Sequence, residues 1–157
     1  MEIENLSLMI SQLIVYWKKQ NITISSMTFQ EVTFIEKYNF LKLPNDFKEL
    51  YTRANGMDKF YLDEFDEEGF LFYPIEEVVS TSVSPDFKKY KLINKEQTYL
   101  FAEYMHKSWY YAFKITENDE YIIGIIAYMD IFKPITNLLA EFIRLYIEDS
   151  PILYDYE

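Results

Sequence analysis

Helical spacing at both ends of the chain and β-rich runs between them predict an α+β domain. On this reading N-terminal helices precede a central, mainly antiparallel sheet, and a closing C-terminal helix packs on one sheet face. The prediction rests on ENLSLMISQLIVYWKKQ near the start, the aromatic and β-branched runs between Tyr99 and Met129, and ITNLLAEFIRLYIED near the end. At 157 residues the chain reads as one domain, 1–157, long enough to bury about 70% of the surface its unfolded form exposes. It has no internal repeat, linker or low-complexity tail.

In the first stretch Leu6, Met9, Leu13, Tyr16 and Trp17 fall on one helical face, and Lys18 and Lys19 suit the negative end of the helix dipole. NITISS then breaks the period. Thr28-Phe29-Gln30-Glu31 has the form of a capping box, the threonine accepting from the backbone while the glutamate reaches back. A second amphipathic helix follows, with Phe29, Val32 and Ile35 inward and Phe34 beside them, ending near Tyr38–Asn39. LPNDFKELYTRANGM, 43–57, predicts a third. Pro44 belongs in its first turn, where the missing N–H costs nothing. Asp46 suits the positive end, and Phe47, Leu50, Tyr51 and Ala54 form the buried stripe. Asn55-Gly56 supplies the left-handed residues that terminate helices.

Beyond Gly56 the period changes to two. FLFYP reads as a short strand that Pro74 either ends or marks as an edge; IEEVV fits a helical turn or a strand; SPDFKKYKLINKEQ is a polar loop. YLFAEYM, SWYYAFKI and EYIIGIIAYM carry the residues pleated surfaces favour. In the second of these Trp109, Tyr111, Phe113 and Ile115 share a face. TENDE makes a hairpin loop, and the last run, apolar on both faces, belongs at the centre of the sheet. Pro134 ends the strands, and the closing helix turns Leu138, Leu139, Phe142, Leu145 and Tyr146 inward.

Composition excludes much. No cysteine means no disulfide, no Cys-ligated metal and no thiol chemistry. Fifteen basic against 26 acidic residues leave a net charge of −11. Such a chain repels phosphate, which argues against nucleic acids and anionic membranes alike. No apolar run approaches the roughly 18–20 residues of a membrane span. The acidic MEIEN lacks the basic region of a secretory leader, so a cytoplasmic protein is expected. The lone His106 has no nucleophile partner, and three scattered glycines cannot build a phosphate loop. DEFDEEG, 63–69, fails as a calcium loop: its glycine is seventh and Phe65 takes a ligand place. No metal, cofactor or catalytic residue is predicted.

The most distinctive segment is DKFYLDEFDEEGF, 58–70. Asp58, Asp63, Glu64, Asp66, Glu67 and Glu68 stand against one lysine, with Phe60, Tyr61 and Phe65 interleaved. One reading is a solvated loop whose rings fold back onto the core. In the other, carboxylates steer a basic partner while rings anchor it, and these residues are the candidate partner-binding set.

The order of motifs resembles the SUKH superfamily, which includes fungal cell-wall-synthesis regulators and bacterial immunity proteins of polymorphic toxin systems. Leu43, Pro44, Phe47, Leu50, Asn55 and Gly56 match its Leu-Pro opening, aromatic and closing Asn-Gly. Tyr73, Pro74, Ile75, Glu77 and Val78 match its later aromatic-Pro-hydrophobic-x-Glu-Val. The likeness spans 28–149 and is strongest in the first half. The chain departs from it at Met57, where the family often has a further glycine, and at Ile135-Thr136-Asn137-Leu138, where a small Ser-containing entry is usual. The resemblance implies a non-enzymatic immunity protein that blocks a cognate toxin, often a nuclease with a basic groove. A regulatory interaction scaffold like the fungal relatives is the alternative it implies.

Overall fold

Two side-chain caps start the first helices, and both are local. Asn5 accepts from Leu8 N–H at 3.2 Å and opens α1 (Leu6–Lys19). Thr28 and Glu31 form the reciprocal capping box that opens α2 (Phe29–Tyr38). The computed structural model describes residues 5–57, 66–128 and 130–157. Within them follow α3 (Asn45–Arg53), β1 (Phe70–Phe72), a 3-10 turn Ile75–Glu77 and β2 (Val79–Ser80). Two further 3-10 turns, Pro85–Phe87 and Lys95–Gln97, lead into β3 (Thr98–Tyr104), β4 (Trp109–Glu117), β5 (Glu120–Ile126) and β6 (Lys133–Thr136). Helix α4 (Leu139–Ile147) and a 3-10 turn Pro151–Tyr154 close the chain.

The result is the α+β architecture with an antiparallel sheet in the order β1-β3-β4-β5-β6, β2 also pairing with β3. β1 and β2 lie in tandem along one edge of β3, Phe72 opposite Ala102 and Val79 opposite Leu100. Between them Pro74 carries no N–H for the ladder, and the chain leaves the edge in the 3-10 turn. That excursion buries Ile75 and leaves Glu76 and Glu77 in solvent.

Rings hold the helices to one sheet face. Phe47 of α3 meets Phe113 at 4.2 Å between centroids, Phe101 at 5.2 Å and Tyr121 at 5.5 Å. Phe142 of α4 meets Phe101 at 5.3 Å and Tyr111 at 5.5 Å, and Trp17 of α1 meets Phe72 at 5.3 Å. Most are edge-on or tilted, the arrangement ring quadrupoles favour. On the other face Phe87 packs on Tyr110 at 5.5 Å and is fully buried. The stretch expected as a polar loop therefore covers the back of the sheet, with Leu92 buried as well.

Several sequence expectations need correction. β5 is internal but next to the edge; β4 is central. Pro134 does not end the strands: it lies within β6, paired opposite Gly124. β6 ends the strand order, so its outer side needs no donor. Leu138 precedes α4 and is 42% exposed. On α2 only Val32 is fully buried, while Phe29 and Phe34 face solvent. α2 packs chiefly on α3 and the Ile75–Glu77 turn, and its buried stripe is narrow.

Candidate protein-interaction surface

Asp58, Phe60, Tyr61, Asp63, Glu64 and Phe65 of the candidate partner-binding set lie outside the described residues. Asp66, Glu67 and Glu68 are described, and they divide sharply. Glu67 and Glu68 are exposed in the turn before β1. Asp66 is only 6% exposed. Its carboxylate accepts from the backbone N–H of Phe70 at 2.8 Å and of Glu68 at 2.9 Å. It also accepts the hydroxyl of Tyr146, which in turn accepts Trp17 Nε1–H at 2.9 Å. Burial raises the Asp66 carboxyl above the ordinary aspartate value, against the opposing pull of these hydrogen bonds. Asp66 thus ties the turn to α1 and α4 and does not belong to a surface rim. Glu67 N–H, donating to Gln20 Oε1 at 2.8 Å, adds a second tie to α1.

The same device recurs through the molecule. Tyr73 donates to Glu103 at 2.9 Å, Tyr110 to Asp86 at 2.7 Å, Tyr121 to Asp46 at 2.5 Å, and Tyr154 to Asp149. Loss of water on burial pushes these hydroxyls above the ordinary phenol value, so they remain donors at neutral pH. Asp86 shows the converse: the hydrogen bond from Tyr110 and the nearby Lys107 hold it below the ordinary range. Part of the acidic composition is therefore structural. Sequence gave no sign of it, because each pair but Tyr154–Asp149 spans at least 24 residues.

The two motif halves meet in space. Asn55 Oδ1 accepts Ile75 N–H at 2.7 Å, and Asn55 Nδ2 donates to Glu76 at 3.0 Å. Gly56 adopts φ +62°, and a Cβ there would stand 2.4 Å from the Tyr73 carbonyl oxygen. The helix has already ended at Ala54, whose backbone is extended. Asn-Gly is thus not a helix terminator here. Asn55 caps the 3-10 turn, and Gly56 allows close backbone approach.

α3 begins without a cap of its own, since Pro44 offers no side-chain acceptor. Asp119, in the β4–β5 turn, accepts Asn45 N–H at 2.8 Å instead. Tyr121 completes the joint by accepting Leu139 N–H at 2.7 Å while donating to Asp46. The cleft lined by Asp46, Asp119, Glu120 and Tyr121 is accounted for by this helix capping. His106 lies exposed in the β3–β4 turn, in a left-handed run with Met105 and Lys107. Among the described residues no group of three or more His, Asp or Glu is placed to hold a metal. No helix among them is long and apolar enough to cross a membrane.

What sequence reading missed is a set of exposed rings on α2 and just beyond it. Phe34, Tyr38 and Phe40, at 66%, 73% and 89% exposure, crowd the end of α2. Phe34 and Tyr38 stack at 5.8 Å, one turn apart on its outer face. The signal was present in the spacing, but a helical period does not say how wide a buried stripe will be. No family model and no curated protein matches the chain.

Proposed function

We propose that this chain is a non-catalytic immunity-type protein that binds a basic toxin domain and blocks its working surface. The observation that carries the reading is the interlock of Leu43–Gly56 with Tyr73–Val78. The residues of the SUKH-like pattern serve one joint: Asn55 against Ile75 and Glu76, Gly56 against Tyr73. A pattern whose letters meet in one structural unit is harder to obtain by chance than scattered matches. Net charge −11 and the exposed Glu67 and Glu68 suit a partner with a basic groove, such as a nuclease. Phe60, Tyr61 and Phe65 are the proposed apolar anchors within the 58–68 segment. Binding in the cytoplasm of the toxin-producing cell follows from that role.

Copurification tests the reading. The tagged protein should recover the product of a toxin gene adjacent to its own in a stoichiometric complex. Absence of a complex with that product, at micromolar concentrations of both, contradicts the proposal. Recovery of several housekeeping proteins and no toxin would favour the regulatory scaffold.

A further inference from the structure

Three helices end in the same hydrogen-bonded motif, and one of them does so with the wrong residue. α1 closes with Ile22 N–H to Trp17 O at 3.0 Å and Asn21 N–H to Lys18 O at 3.1 Å. α4 closes with Ser150 N–H to Leu145 O at 2.9 Å and Asp149 N–H to Tyr146 O at 3.1 Å. α2 closes with Leu41 N–H to Glu36 O at 2.8 Å and Phe40 N–H to Lys37 O at 3.3 Å. Each is a Schellman motif, whose pivot residue is left-handed and is usually glycine or asparagine. The pivots Asn21 and Asp149 have φ +61° and +53°, and their short polar side chains tolerate that region. The α2 pivot is Phe40 at φ +56°.

A phenylalanine gains nothing for the fold at that position. Its Cβ is disfavoured there, and its ring is 89% exposed. The ring instead lines a groove of about 520 Å³ with Tyr38, Glu76, Glu77, Val79 and Val83. Val83 is exposed, Glu76 and Glu77 stand in solvent, and the groove lining contains no basic residue. Lys37 does not line it, but shares a neighbouring cavity with Phe34, Tyr38 and Phe40 on the outer side of α2.

We infer that the groove between the end of α2 and the Ile75–Ser80 segment is a docking site for a basic, apolar segment of a partner protein. An arginine or lysine of that segment lies over the Tyr38 and Phe40 rings, facing Glu76 and Glu77, while an aliphatic neighbour covers Val79 and Val83. Ring faces attract cations, and carboxylates complete their charge. Charge complementarity selects this occupant over a second copy of the chain, which would bring the same two glutamates and another net −11. The inference rests on the reading of a basic protein partner. It places a contact outside the 58–68 segment.

The test titrates the isolated protein with a synthetic hexapeptide amide alternating arginine and leucine, read by backbone amide NMR. Saturable shifts are expected at Tyr38, Phe40, Glu77, Val79 and Val83, and none with the glutamate–leucine counterpart. Phe40→Asn should weaken binding about tenfold or more, the loss of one aromatic anchor. It should also raise Tm by about 2–4 °C, because asparagine suits the left-handed pivot. Tyr38→Ser should weaken binding without that gain. Shifts spread over the acidic surface, Phe40→Asn binding within twofold of the parent, or no gain in its Tm would each overturn the inference. So would groove shifts that follow protein concentration without peptide, which would assign the groove to a second copy. Because no toxin is present, failure here leaves the immunity reading standing, and failure of toxin binding leaves a peptide-binding groove standing.

Discussion

Asn55 and Ile75 are 20 residues apart in the chain, and the 2.7 Å hydrogen bond from the Ile75 N–H to Asn55 Oδ1 joins the end of α3 to the turn that divides β1 from β2. The bond is buried, so water cannot replace it.

Removing that joint should be costly and local in cause. Asn55→Ala leaves the Ile75 N–H buried without an acceptor and should cost about 1–3 kcal/mol. Gly56→Ala should cost about 3 kcal/mol or more, since it combines a left-handed φ with a backbone overlap. Urea denaturation of both variants checks the order. Equal stability of Gly56→Ala and the parent would contradict the close approach of Tyr73.

The Trp17–Tyr146–Asp66 chain predicts a second stability effect. Tyr146→Phe keeps the ring contacts to Phe70 and Phe72 and removes only the hydroxyl. Trp17 Nε1 then lacks its acceptor and Asp66 one of its donors, at a cost of roughly 2–4 kcal/mol. A loss under about 0.5 kcal/mol, the usual range for a harmless surface change, would show that the hydroxyl does not link the three residues.

Asp66 and Asp86 should give pH dependences of opposite sign. Asp66 is raised by burial, so its folded form holds the proton more tightly than the unfolded chain does. Its contribution is fully present below the unfolded value near 3.8 and is lost as pH rises through the folded value. Asp86 is lowered, chiefly by the Tyr110 hydrogen bond. Its contribution is present above the unfolded value and lost as pH falls through the folded one. The stability of each parent–variant pair, Asp66→Asn and Asp86→Asn, measured from about pH 3 to 7 isolates each group from the remaining carboxylates. From low pH to neutral, the parent should lose ground to Asp66→Asn and gain on Asp86→Asn.

Helix α3 depends on an acceptor from another element. Asp119→Ala removes the side-chain acceptor of the Asn45 N–H and should cost about 1 kcal/mol, the usual value of an N-cap. Hydrogen exchange should show faster opening confined to the first turn of α3. Unchanged exchange there would mean that the β4–β5 turn does not cap the helix.

These cases show where sequence was informative. The Thr28–Glu31 box was legible because donor and acceptor lie three residues apart. The stripe Phe47, Leu50, Tyr51 and Ala54 was legible because one helix face meets one sheet face. β3, β4 and β5 were legible from their β-branched and aromatic content. Pro134 misled because edge strands tolerate proline, and nothing local says which strand is the edge. Phe87 misled because its sequence neighbours are polar while its ring, together with Leu92, covers the back of the sheet. Asp66 misled most. A carboxylate amid carboxylates reads as solvated surface, and its partner Tyr146 is 80 residues away. Phe40 left no trace, since its significance lies in a backbone angle that no letter announces.

The central claim is neutralisation of a basic toxin, and co-expression measures it most directly. Cells making the proposed partner, a toxin encoded beside this gene, should grow when the parent protein is present. A variant reversing Asp63, Glu64 and Glu67 to Lys, with the buried Asp66 kept, should fold as the parent does but bind the toxin more slowly at low salt and protect less. Full loss of growth with the parent protein present would contradict the account.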